Sequence, residues 1–345
     1  MPSPTPAPRR RRLLTTAVVT AVALTAVVGH AHAASAPVAH VRIVSHLDMV
    51  AGQHPENITL GPGGAAFVTF AFNRQIARIG PDGRVRVLAT LPAPPAGSST
   101  PVLSSPFLGG IVRADDGTLY FLYATGSGDL TGVWRLRPGG TPQRIAALPS
   151  EGLPNGLALD ERGGQLYATD SALGAVWRVP TCGGTPTKWA AAPELARTGF
   201  LGANGVKIHR GAAWVTNLDR GTVLRIPIAR HGAPGPLEVR ATGLVDIDDF
   251  AFTGRGDTLL AAINADNEVA LVRPDGRHTT VLTAADGLQN PTSLAMRGTK
   301  AYVASGAYFT DEDPNLLTAR IKSADHRQPP AALPRRQPPA YTSST

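Results

Sequence analysis

The stretch LPNGLALDERGGQLYATDS, residues 153–171, decides the fold of this chain. It contains two short runs that are rich in apolar and β-branched side chains, separated by the Gly-rich turn ERGG. Two more strand-like runs follow, AVWRVP at 175–180 and TKWAAAP at 187–193. Four strands joined by short turns are the pattern of one small antiparallel sheet.

The same unit occurs six times, at intervals of about 44 to 53 residues. Self-similarity at this period, with a strand pattern in every copy, is typical of a β-propeller. A β-sandwich would also contain many short strands, but it gives no reason for one phrase to return six times. We therefore predict an all-β fold, a six-bladed β-propeller of four-stranded antiparallel blades. The copies open at Glu56, Gly109, Asn155, Asn204, Asp248 and Thr292.

The last copy lacks a fourth strand of its own, because the chain becomes Pro-rich and polar after Ile321. A spare run, VRIVSH at 41–46, lies just before the first copy. We predict that this N-terminal strand pairs beside residues 316–321 and closes the ring. Closure protects the sheet edges that an open array of blades would expose.

The two ends of the chain differ from the repeats. Four arginines at 9–12, an apolar run at 13–29 and the small-residue site Ala31-His32-Ala33 are typical of a secretory signal peptide. A membrane anchor is the alternative, but the cleavage motif favours removal before Ala34. The tail at 322–345 is too polar and Pro-rich to bury a core, so we predict that it is disordered. The predicted parts are a signal peptide (1–33), a propeller (34–321) and a tail (322–345) of a secreted protein that is not membrane-bound and is a monomer.

The charge distribution argues against a nucleic-acid partner. The formal net charge is +8, but the arginines at 9–12 and the tail carry most of the excess. A domain that binds nucleic acid concentrates basic charge on one of its faces. The repeats themselves are nearly neutral.

The opening residues of the copies indicate where a site lies. In register they form one ring at the same end of the central channel, with carboxylates at Glu56 and Asp248 and amides at Asn155 and Asn204. Hard oxygen ligands that converge in this way suit Ca²⁺ or Mg²⁺. The alternative is that these residues are ordinary turn formers that cap their own loops. Their common register favours a functional ring.

Long loops and aromatic residues are predicted at the same mouth. The alternating strand directions place the links between blades, such as 92–106 and 190–203, on the face where the inner strands begin. Loops gathered over one mouth are where binding residues usually lie. Phe72, Phe200, Tyr308 and Phe309 are candidates for the apolar walls of a site for a small-molecule substrate or ligand.

The blades resemble those of the senescence marker protein/gluconolactonase superfamily of six-bladed propellers. The resemblance covers 55–305 and is strongest at 153–171. It implies a divalent cation at the channel mouth. Carried over by position, the ligand Glu of the first blade falls on Glu56, the Asn of the third on Asn155 and the Asp of the fourth on Asn204, while the Asn of the second blade falls on Gly109. In the family that Asp also assists the attack of water on a lactone.

Two functions follow from this comparison. An amide at Asn204 can coordinate through oxygen but cannot accept a proton at neutral pH, so we assign the catalytic base to Asp248. With Glu56, Asn155 and Asn204 as metal ligands, the prediction is a divalent-cation-dependent hydrolase of a lactone or ester. The alternative is a non-catalytic secreted propeller that binds a small molecule or protein at its loop-rich face. The amide at Asn204 favours binding, and the retained Glu56 and Asn155 favour the enzyme.

Overall fold

The structure, a computed structural model, describes residues 37–322. These residues form six sheets of four antiparallel strands each, which confirms the predicted blade number. In the first five blades the strands follow one another in chain order from the channel outwards. Blades 1 to 3 consist of β2 (Pro55–Leu60), β3 (Ala66–Phe70), β4 (Gln75–Ile79) and β5 (Val85–Thr90); β6 (Phe107–Arg113), β7 (Leu119–Ala124), β8 (Gly132–Leu136) and β9 (Gln143–Ala147); and β10 (Pro154–Asp160), β11 (Gln165–Asp170), β12 (Ala175–Pro180) and β13 (Thr187–Ala191).

The sixth blade contains the closing strand, β1, which is the first strand of the described residues. Only two short 3₁₀ turns, Pro62–Gly64 and Ala284–Asp286, interrupt the strands of the described residues. Blades 4 to 6 consist of β14 (Ala203–His209), β15 (Ala212–Asn217), β16 (Thr222–Pro227) and β17 (Glu238–Ala241); β18 (Ile247–Phe252), β19 (Leu259–Ile263), β20 (Glu268–Val272) and β21 (His278–Leu282); and β22 (Pro291–Arg297), β23 (Lys300–Ser305), β24 (Asn315–Ile321) and β1 (Val38–His46).

The ring closes as predicted. Strand β1 pairs antiparallel with β24, with Val38 opposite Ile321 and His46 opposite Asn315. The sixth sheet therefore has the order β22-β23-β24-β1, and its outer strand comes from before the first blade. The predicted signal peptide at 1–33 and the tail beyond Lys322 lie outside the described residues.

The hydrophobic core is divided into layers between neighbouring blades. Each of the six blade interfaces has its own buried cluster, such as the one that joins Leu122 of β7 to Leu166 of β11. A seventh cluster, with Phe107 and Leu201, lies under the loops at the end of the channel where the inner strands begin. The aromatic residues at fixed strand positions pack between blades, as Trp214 does in β15. No helix within residues 37–322 is long and apolar enough to cross a bilayer.

Candidate functional site

A cavity of about 270 Å³ opens at the end of the channel where the inner strands begin, which we call the mouth. The side chains of Glu56, Asn155, Asn204 and Asp248 all line it, and none is more than 7% exposed. Asn155 and Asn204 lie within β10 and β14, so they do not turn outwards to cap their own loops. The structure thus brings together the four residues that their register predicted.

The other two positions of the ring have different roles. The Thr292 hydroxyl donates a hydrogen bond to the Pro55 carbonyl at 2.9 Å and does not line the cavity. A side chain at Gly109 would place its Cβ 2.6 Å from the Asn155 carbonyl oxygen. Glycine at this position therefore lets the inner strands of two blades approach closely.

An irregularity of the strands explains how neighbouring residues can both face the channel. Every inner strand shifts register against its partner at its opening, for example between Pro55 and Asn57 and between Ile247 and Phe250. A β-bulge breaks the alternation of side chains and redirects them, and it is common beside functional sites. Consecutive residues such as Asp248 and Asp249 can therefore both contribute to the channel.

Threonines of the second strands hold the ring residues of the next blade in place. Each donates its hydroxyl to the backbone carbonyl of a ring residue one blade further on, at distances of 2.8 Å for Thr69 and 2.7 Å for Thr216. These bonds fix the backbone of the site without using its side chains. The pairs are Thr69 with Gly109, Thr169 with Asn204 and Thr216 with Asp248.

Glu56 and Asp248, the two buried carboxylates of the cavity, have no basic neighbour among the described residues that line it. Burial raises the pKa of Glu56 to about 7, against a hydrogen bond from the Tyr308 hydroxyl that lowers it; the charge of Asp249 adds to the rise. The pKa of Asp248 is also raised well above its usual range, first by burial and then by the charges of Glu56 and Asp249. The pair is therefore short of positive charge.

Tyr308 links the loop after β23 to the polar side of the cavity. We call this side, formed by Glu56, Asn155, Asn204 and Asp248, the floor. Its hydroxyl donates to Glu56 Oε2 at 2.5 Å, and burial beside that carboxylate raises the Tyr308 pKa. Its ring lies 5.7 Å from that of Phe72, measured between centroids. Sequence reasoning predicted Tyr308 as an apolar wall only, and the structure shows that it also orients a site carboxylate.

A second polar cluster lies in the channel beside the ring. Asp249, whose side chain is 2% exposed, accepts hydrogen bonds from Lys207 Nζ at 2.6 and 2.7 Å. Asn57 Nδ2 at 3.2 Å and Ser293 Oγ at 2.6 Å donate to the same carboxylate. The positive charge of Lys207 is therefore already paired next to the cavity.

Sequence reasoning missed this second cluster, although a signal was present. Its members stand one residue after the ring position in three copies, at Asn57, Asp249 and Ser293, where the remaining copies have glycine. A Cβ at one of these glycines, Gly205, would lie 2.4 Å from Asp249 Oδ1, so the glycine leaves space for the carboxylate. Lys207 is the one charged residue at its position in the six copies.

The donor set at the cavity floor fits a hard divalent cation. Asn204 Oδ1 is buried and has no hydrogen-bond partner among the described residues. Asn204 lines the same cavity as two buried carboxylates, and the charge of Glu56 raises the pKa of Asp248. A cation that takes oxygen ligands would give the Asn204 oxygen a partner and would neutralise the carboxylates. Within residues 37–322 no group of three His, Cys, Asp or Glu side chains could hold a metal, so such a site depends on the amides as well.

Solved structures share this fold. No protein-family model and no curated protein matches the sequence. The calcium-binding protein regucalcin from Agrobacterium tumefaciens has a TM-score of 0.58 at 16% identity, over 81% of this chain and 93% of its own. A candidate gluconolactonase has a TM-score of 0.58 at 17% identity, over 82% and 92%. Virginiamycin B lyase from Staphylococcus aureus has a TM-score of 0.53 at 14% identity, over 82% and 100%.

These comparisons define the class of the protein by its architecture. The chain is a β-propeller with the fold of regucalcin and of the candidate gluconolactonase, as the blade sequences predicted. It has six blades, and its polar-floored cavity lies at one mouth of the channel.

Proposed function

We propose that this protein is an exported hydrolase of a lactone or ester that depends on a divalent cation and uses the mouth cavity as its active site. One observation carries the proposal: Glu56 and Asp248 are buried together at the cavity floor with no basic residue among its described lining. The likeness of fold to the candidate gluconolactonase supports it. Glu56, Asn155 and Asn204 would hold the cation, Ca²⁺ or Mg²⁺.

Each residue has a defined task in this reaction. When bound, the cation would polarise the carbonyl of the substrate. Asp248 takes a proton from the attacking water, whose oxygen bonds to the carbonyl carbon. The C–O bond to the leaving oxygen then breaks, and the proton passes from Asp248 to that oxygen. The Tyr308 hydroxyl donates a hydrogen bond that holds the Glu56 carboxylate in position at the cavity floor.

The environment of Asp248 suits the task of a general base. Burial and the neighbouring carboxylates raise its pKa, which makes its ionised form a stronger base than a solvent-exposed aspartate. Asn264 Nδ2 lies 3.5 Å from Asp248 Oδ2 and holds the side chain in place. The base thus comes from the fifth blade, whereas the family pattern places it in the fourth.

The test combines metal analysis with a hydrolysis screen. Mature protein is purified, stripped with EDTA and assayed on lactones and esters with Ca²⁺, Mg²⁺, Mn²⁺ or Zn²⁺ added back. We expect turnover that needs the cation and is lost in Asp248→Asn. Cation-loaded protein that hydrolyses no lactone or ester would overturn the hydrolase and leave the alternative, a secreted propeller that binds a ligand at the same mouth.

Export is a separate part of the proposal. The arginines, apolar run and cleavage motif of residues 1–33 support it. N-terminal sequencing of protein recovered from the culture medium should give a start near Ala34. Retention of residues 1–33 in membrane-bound protein would contradict it.

A further inference from the structure

The walls of the mouth cavity are mostly apolar. Most of its polar groups are concentrated at its floor, and apart from Asp246 and Asn264 aromatic and aliphatic side chains form the rest of its lining. A polyhydroxylated ring needs hydrogen-bond partners on several sides, and its hydroxyls lose them against carbon walls. The apolar lining includes Phe72, Leu103, Phe107, Phe200, Leu201 and Phe309.

The apolar surface continues outwards onto the loops that surround the mouth, which we call the rim. Of the eight large apolar side chains that are exposed in the described residues, six lie on loops of the mouth face, and Val87 and Val239 lie on outer strands. Phe72, Phe200 and Phe309 both line the cavity and are 45%, 46% and 66% exposed. Exposed apolar side chains that surround a cavity mark a place where an apolar ligand enters.

The loops around this mouth are also strongly acidic. The segments between strands on the mouth face contain eleven Asp and Glu residues and three Arg, without Lys, whereas those on the opposite face contain six acidic residues and eight Arg. Asp246 belongs to this set and lines the cavity itself. A cleft surrounded by charge of one sign concentrates ligands of the opposite sign and repels those of the same sign.

The floor adds acceptors and carboxylates but no positively charged donor among the described lining. Asn204 is 1% exposed and lines this cavity, and its side-chain oxygen Oδ1 has no hydrogen-bond partner among the described residues. An anionic group would therefore meet two buried carboxylates and an unpaired carbonyl oxygen. Even when one divalent cation is bound at the floor, the acidic loops around the mouth remain, so they still repel an anionic ligand.

We propose that the mouth cavity selects substrates with an apolar, aromatic group and no negative charge, and that it discriminates against sugar lactones and anionic esters. The substrate class is then a neutral or cationic aromatic ester or lactone. This inference rests on the proposed hydrolysis for its substrates, but the selectivity is a property of binding. Hydrolysis of such a substrate yields a carboxylate, which the acidic mouth would expel.

Binding is measured first, with ligands that cannot be hydrolysed. Benzylammonium, benzyl alcohol, benzoate and glucose are titrated into the full-length mature protein by calorimetry, with and without Ca²⁺. We expect benzylammonium and benzyl alcohol to bind at least about tenfold more tightly than benzoate or glucose. Repulsion by the acidic mouth disfavours benzoate, and the lack of an apolar ring to bury disfavours glucose; each effect is of about this size. Equal or tighter binding of benzoate or glucose would overturn the inference.

Matched variants separate the wall from the charge. Phe200→Ser should weaken benzyl alcohol binding about tenfold, while Val50→Ser, at an exposed position of the same face outside the cavity, should not. Asp246→Asn should reduce the preference for benzylammonium over benzoate about threefold, and Asp115→Asn on the opposite face, between β6 and β7, should leave it unchanged. An unchanged Phe200→Ser would refute the apolar wall, and an unchanged Asp246→Asn would refute the electrostatic selection.

Hydrolysis rates keep this inference apart from the proposed function. Phenyl acetate, 4-acetoxybenzoate and δ-gluconolactone are compared under the conditions that give full cation loading. If the binding order holds but no compound is hydrolysed, the selectivity stands and the hydrolase falls. If δ-gluconolactone is hydrolysed faster than phenyl acetate, the hydrolase stands and the selectivity is wrong.

Discussion

Replacing Lys207 by Met removes the positive charge that lies against a buried carboxylate of the channel, that of Asp249. Its ammonium contacts both oxygens of Asp249 at 2.6 and 2.7 Å, and its charge also lowers the pKa of Asp248. The variant leaves three carboxylates, of Glu56, Asp248 and Asp249, without that partner. Breaking a buried ion pair from one side costs about 3–5 kcal/mol. Because the Lys207 side chain is 26% exposed, we expect a loss near the lower value, about 3 kcal/mol.

The loss is measured by urea unfolding of EDTA-treated protein, followed by the fluorescence of the four tryptophans. Asp249→Asn is the matched second change, because it removes the unpaired charge and keeps an acceptor for Asn57 and Ser293. We expect the double variant to recover more than half of the stability that Lys207→Met loses. The loss should also shrink as pH falls, because Glu56 and Asp248, whose pKa values burial raises, then take up protons. A loss below about 1 kcal/mol, or no recovery in the double variant, would refute the reasoning.

Three further outcomes test the site. Asp248→Asn should lower the hydrolysis rate by a factor of roughly 10²–10⁴ and change cation affinity less, because it removes the base and keeps an oxygen; equal turnover would contradict its role. Burial raises the Glu56 pKa to about 7 from 4.5, so the folded metal-free protein binds this proton more tightly than the unfolded chain. Thermal melts in EDTA should therefore show stability that falls as pH rises from about 4.5 to 7, by about 3 kcal/mol, and the same slope in Glu56→Gln would argue against it. Burial alone would raise the pKa of Asp219, but its carboxylate accepts hydrogen bonds from the four backbone N–H groups of residues 198–201, and the pKa is lowered overall. The stability that Asp219 contributes is present above its unfolded pKa and is lost as pH falls through its folded pKa. Asp219→Ala should destabilise the loop by about 1–3 kcal/mol and weaken ligand binding at Phe200. Hydrogen exchange of the amides of residues 198–201 measures the loss.

The fold could be predicted because the sequence pattern of one blade is repeated six times. The repeated opening residues gave the register, and the missing fourth strand of the last copy predicted the pairing of β1 with β24. The same register predicted that Glu56, Asn155, Asn204 and Asp248 meet at one mouth. Repetition makes these inferences possible because each copy tests the alignment of the others.

The interior of the channel could not be predicted in the same way. The contacts of Asp249 with Asn57, Lys207 and Ser293 join four blades, and no local pattern states which side chains meet across an axis. The bulges at the strand openings were also hidden, since an extra residue disturbs the alternation that identifies a strand. Tyr308 shows a third limit, because its hydrogen bond to Glu56 spans 252 residues.

The pairing of β1 with β24 has a consequence for the order of folding. It joins residues at opposite ends of the described region, as in the bond from the Lys322 amide to the Pro37 carbonyl at 2.8 Å, so it is the contact with the greatest loop-closure entropy. Of the described strands, β1 is synthesised first and must remain unpaired until β24, the last of them, emerges. Five blades can assemble as the chain grows, but the circle is completed in a single late step. Separation of this one seam would then be the first event of unfolding, and it would turn a closed ring into a row of blades with two free edges.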